Sequence, residues 1–77
     1  MYTVIKIHND ETEVIDAFEN RDDAERLLIE VISETVSNFN DYDTIHLDYI
    51  AQEGYDNYGA GTIYIDEDGF APYGANI

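Results

Sequence analysis

Residues 2–8, YTVIKIH, are rich in β-branched side chains. A polar turn, NDET, follows them, and a second run of the same kind, EVIDAFE, covers 13–19. Two short β-prone runs joined by turn residues predict a hairpin. In the preferred register Ile5, Ile7, Ile15 and Ala17 share one face, and Lys6 lies opposite Asp16 on the other. A one-residue slip would align Ile5 and Ile7 with Val14 and Phe18 instead. The first arrangement separates charge from apolar surface better. At Asn20 the period changes. Asn20 is a good helix N-cap, and Asp22 and Asp23 stand where the positive end of a helix dipole favours carboxylates. Ala24, Leu27, Leu28, Val31, Ile32 and Thr35 then recur at helical spacing, in a helix running to about Asn38, and Phe39 extends the stripe. The stripe is core, with Ile29 and Val36 on its shoulder.

Residues 40–43, NDYD, read as a turn. Residues 44–51, TIHLDYIA, alternate, with Ile45, Leu47, Tyr49 and Ala51 inward and His46 and Asp48 outward. That pattern predicts a half-buried strand. EGYDNYGAG reads as a loop. GTIYID, 61–66, reads as a strand with Ile63 and Ile65 inward and Tyr64 and Asp66 outward. Asp68-Gly69 is a tight-turn signal, and Pro72 makes FAPYGANI an edge or coil segment that folds back. The expected fold is α+β: one domain over 1–77, an antiparallel sheet of about four strands with one helix on one face, in the order ββαββ. A hydrophobic content of 44% with 13% aromatics supplies one small core and not two.

Charge narrows the function classes. Eighteen Asp and Glu face three Lys and Arg, a net charge of −15. Direct nucleic-acid binding needs cations to replace the counterions of phosphates, so it is excluded. An anionic membrane surface would repel the chain, and no apolar run approaches the roughly 20 residues of a membrane span. Without cysteine there is no disulfide framework and no thiolate metal site. MYTVIKIH lacks the basic start and long apolar stretch of a secretory signal, so the expected location is the cytoplasm, that of a bacterial host if a phage encodes the chain. Ten Ile, six Asn and seven Tyr suggest AT-rich coding, which ordinarily brings lysine, yet Lys6 is alone. The acidity therefore looks selected.

Catalytic constellations are missing. Ser33 and Ser37 lie one turn apart on the polar side of the expected helix, with no strand-to-helix elbow to expose a nucleophile. Among so many carboxylates, acid pairs at glycosidase distances arise by chance. No glycine-rich phosphate loop is present. His8 and His46 could meet near Asp48, but exposed strand residues are the ordinary explanation. Asp66-Glu67-Asp68-Gly69 fails as a calcium loop: with Gly69 sixth, Tyr64 and Ala75 would fall at ligand positions one and twelve. The expectation is a non-enzyme with no catalytic residue, cofactor or metal site.

The carboxylates themselves carry the information. Asp23, Glu30 and Glu34 share a polar helix face, where Glu30 and Glu34 repel at i,i+4 with only Arg26 nearby. Other acids gather in loops: Asp10 and Glu11, Asp41 and Asp43, Glu53 and Asp56, then Asp66, Glu67 and Asp68. Solubility needs a net charge of only about 2 to 8 in a small domain, so an excess this large points to use. Tyr42, Tyr55, Tyr58, Tyr64 and Tyr73 sit beside acids, and tyrosine is a common contact residue at binding sites.

In size, acidity, near-absence of lysine and segments such as DYDTIHLDY and EGYDNYGAG, the chain resembles the small acidic DNA-mimic proteins of phages and mobile elements. Those proteins inhibit restriction enzymes, CRISPR effectors or DNA-repair enzymes. The resemblance implies a binding protein whose partner is a basic nucleic-acid-binding protein, a nuclease or CRISPR effector. The expected contact residues are Asp48, Asp56, Tyr58, Tyr64, Asp66, Glu67 and Asp68 on the strand-and-loop side, with Glu30 and Glu34 on the helix as the lesser candidates. The alternatives are an acidic module for a basic partner without mimicry, and weak self-association through Ile29, Val36 and the C-terminal edge.

Overall fold

A computed structural model describes residues 1–67. Two strands, β1 (Tyr2–His8) and β2 (Glu11–Phe18), precede the helix α1 (Arg21–Thr35). A single 3₁₀ turn at Phe39–Asp41 leads into a second helix, α2 (Thr44–Glu53), and then β3 (Tyr55–Tyr58) and β4 (Gly61–Glu67). The four strands form one antiparallel sheet in the order β2-β1-β4-β3. The expected α+β class and four-stranded sheet stand. The single helix and the order ββαββ do not, because 44–51 is helical.

The first hairpin turns on Asn9 and Asp10 alone, both at positive φ (47° and 73°), the combination that a two-residue turn matching strand twist requires. The register differs from the expected one. Lys6 pairs with Glu13, Ile5 with Val14 and Val4 with Asp16, and a bulge falls between Val4 and Ile5. An extra residue at a bulge re-aims the side chains that follow it. Ile15 and Phe18 thereby both pack against the helix-side core, which neither uninterrupted register allows.

Strand alternation sends Val4, Ile63 and Ile65 to the helix side, where they join Ala24, Leu28, Val31, Ile32, Val36 and Ile50. The α1 stripe is thus core as expected. Val36, placed on its shoulder, is also buried. Asn20 occupies the N-cap position without a side-chain cap bond, and α1 ends at Thr35 rather than near Asn38.

Two caps explain α2. The Asp43 side chain accepts from the His46 backbone N–H at 2.8 Å, and Gly54 closes the helix in the left-handed conformation (φ 85°). Between them Leu47, Ile50 and Gly54 are half-buried or buried at i, i+3 and i+7, a helical period that competes with the alternation in TIHLDYIA. Ile45 and Tyr49, expected inward on a strand, instead point out of the helix and are exposed. The expected loop 53–61 contains β3, paired with β4 from Tyr55↔Tyr64 to Tyr58↔Gly61. Gly61 must be glycine for a close approach: a Cβ there would stand 1.8 Å from the Ile7 carbonyl oxygen. The expected Asp68-Gly69 turn and the 70–77 segment lie outside the described residues.

Candidate partner-binding surface

The residues singled out on the strand-and-loop side do not form one patch. Asp56 and Tyr58 stand at alternating β3 positions on the helix side, and both are engaged internally. Asp56 accepts from the Tyr42 hydroxyl at 2.9 Å. The Tyr58 hydroxyl donates to the Ile7 carbonyl (3.3 Å), lies 2.9 Å from His8 Nδ1, and its ring stacks on the His8 ring. Burial raises the pKa of the Tyr58 phenol above its ordinary value. Burial also raises that of Tyr42, helped by its bond to Asp56.

Tyr64 requires a larger correction. It was expected outward, and alternation does send it to the face away from the helices, yet it is only 1% exposed. Its ring is therefore interior and not an exposed anchor. Its hydroxyl and one carboxylate oxygen of half-buried Asp66 are enclosed and find no hydrogen-bond partner among the described residues. Burial first, and the Asp66 charge second, push the Tyr64 phenol pKa up. Glu67 is exposed and pairs with Arg21. Asp68 lies outside the described residues.

The helical layer is different. Glu30 and Glu34 are exposed one turn apart on the outer side of α1, and Asp22 is exposed in its first turn. Asp48 is also exposed, but it projects from α2 and not from a strand. Both helices pack on the same side of the sheet and share its core. A shallow groove between them is lined by Asp22, Glu25, Arg26, Ile29 and Ala51.

The arginines do little to neutralise this layer. Arg21 bonds Glu25 at 2.7 Å, pairs with Glu67, and donates to the Ala51 and Gln52 carbonyls at 3.2 and 3.0 Å. Burial works against its charge, but the Glu25 bond and the charges of Glu67 and Glu25 outweigh that, and its pKa is raised. Arg21 thus serves as an internal tie at the negative end of α2. Arg26 pairs with Asp23 on its own helix at 3.3 Å.

The histidines do not meet. His8 stacks on Tyr58, while His46 sits edge-on to Tyr42 at 4.4 Å between ring centroids. Among the described residues no cluster of three His, Asp or Glu side chains is arranged to hold a metal ion. Nor, among them, is any helix long and apolar enough to cross a membrane.

Sequence reasoning missed Ile45 and Tyr49, because the strand period turned them inward. The Asp43 and Gly54 caps, correctly spaced for a three-turn helix, were the signal that could have found them. Comparison with protein-family models, curated proteins and solved structures finds no match to this chain.

Proposed function

We propose that this protein is a non-enzymatic acidic inhibitor that occupies the nucleic-acid-binding site of a bacterial defence protein, a CRISPR effector or restriction enzyme, by imitating DNA. One observation carries the reading. Asp22, Glu30 and Glu34 on α1 and Asp48 and Glu53 on α2 are exposed, while Arg21 and Arg26 are committed to other carboxylates. Glu30 and Glu34 stand about 6 Å apart along the helix axis. A duplex offers regularly spaced negative charge to a basic groove, and a rigid carboxylate array offers a comparable field.

A second reading, an acidic module for a basic protein without mimicry, is favoured by Ile45 and Tyr49, since a phosphate backbone has no counterpart to exposed apolar side chains. Displacement of labelled DNA separates the two. With purified RNA-guided and restriction nucleases, the chain should release bound DNA, and Glu30→Lys with Glu34→Lys should weaken release. Binding that is undiminished when the nuclease is saturated with DNA overturns mimicry.

A further inference from the structure

On α2, Ile45 is 80% exposed and Tyr49 57%. They lie four residues apart, one turn and about 6 Å along the axis, and so meet on the surface as one apolar step. At 100° per residue, Asp48, Gln52 and Glu53 fall on the same outward arc, and all three are exposed. Leu47 and Ile50 occupy the opposite arc, toward the core. The result is a small apolar pair framed by carboxylates.

The geometry points to the outer face of α2 as the docking site for a cationic amphipathic segment of a partner protein. The segment's apolar side chains would cover Ile45 and Tyr49, and its Lys or Arg side chains would meet Asp48 and Glu53. This rests on the reading that the chain acts on a basic protein, and it names the face and the chemistry of the contact. Two side chains are too little apolar area to hold a partner unaided, so the surrounding charge has to contribute. That requirement selects the occupant. A second copy would bring the same carboxylates and another −15 charge, and nucleic acid would be repelled. The face is also held ready. Asp43 caps one end of α2, Gly54 closes the other, and Arg21 ties the last turn through two carbonyls. Binding would require little ordering of the backbone.

The test uses the full chain, ¹⁵N-labelled, titrated with a synthetic Leu/Lys amphipathic helical peptide and, separately, with an oligolysine of equal charge. The amphipathic peptide should shift amide signals clustered at 45–53. The double variant Ile45→Ser, Tyr49→Ser should lower its affinity about tenfold or more, as loss of a central anchor does, and leave oligolysine binding unchanged. Both positions are exposed, so an unchanged spectrum elsewhere shows that the variant is folded. Glu30→Gln with Glu34→Gln should not move the signals at 45–53. Equal affinity for the two peptides, shifts scattered over all carboxylates, or shifts centred on α1 overturn the proposal. So does concentration-dependent mass that the Ile45/Tyr49 variant abolishes, which would make a second copy the occupant. Failure to displace DNA from nucleases, with the peptide still docking on α2, removes mimicry alone. DNA displacement untouched by the Ile45/Tyr49 variant removes this docking face alone.

Discussion

Tyr64 is the residue whose chemistry departs furthest from its apparent role. Its hydroxyl is enclosed and has no partner among the described residues; an unpaired buried hydroxyl costs about 1 to 3 kcal/mol of desolvation, and phenylalanine keeps the ring while removing that group. Tyr64→Phe should therefore stabilise the fold by about 1 kcal/mol, read from the denaturant midpoint. A loss of stability would mean that the hydroxyl makes a bond in solution. The same residue governs alkaline behaviour. The phenols of Tyr42, Tyr58 and Tyr64 have folded-state pKa values above their ordinary value of about 10. Above that pH the unfolded chain gives up protons that the folded chain still holds, and ionisation pulls toward unfolding. The stability contribution is full below about pH 10 and falls as pH rises toward the folded-state values. Denaturant midpoints at pH 8, 10 and 11, followed with tyrosinate absorbance, should show this, and Tyr64→Phe should make the decline shallower.

At the scale of elements, α1 joins the sheet to α2. Leu28 is fully buried in the core cluster, and Leu28→Ala should cost about 2 to 5 kcal/mol, a large part of the stability of so small a domain. Ile29 is half-buried beside the inter-helix groove, and Ile29→Ala should cost far less by thermal or chemical melting. Equal costs would mean that Ile29 is buried in an assembly. The phase of α1 was legible because six apolar or small positions over three turns agree on one stripe. TIHLDYIA was not, because over so short a run a period of two and a period of 3.6 both find apolar residues, and only the caps decide. The hairpin register was misread for another reason: a bulge changes alternation midway, and no composition marks this one. Among the site residues, exposure of Glu30 and Glu34 followed from the helical stripe. The outward placement of Tyr64 rested on the assumption that a sheet face without helices is open. The edges of the sheet are guarded by familiar means: β2 carries Glu11, Glu13 and Asp16, and β3 is four residues long.

For the whole molecule, the excess charge opposes its own folding. Screening acts over about 10 Å at 0.1 M salt, so the melting temperature should rise between 10 and 500 mM salt. A flat response would mean that ion pairs such as Arg21 with Glu25 and Glu67 already balance the repulsion.

The central pairing of β1 with β4 joins Val4 to Ile65, nearly the whole described chain apart. During synthesis the β1–β2 hairpin and α1 can form early from neighbouring residues. The other edge of β1 stays unpaired until β4 has left the ribosome, some seconds later at about 5 to 20 residues per second. Such a half-built sheet is a template for mispairing with another nascent copy. Glu11, Glu13 and Asp16 have already emerged by then, one strand away. Like charges on that strand oppose edge-to-edge pairing of two such half-built copies.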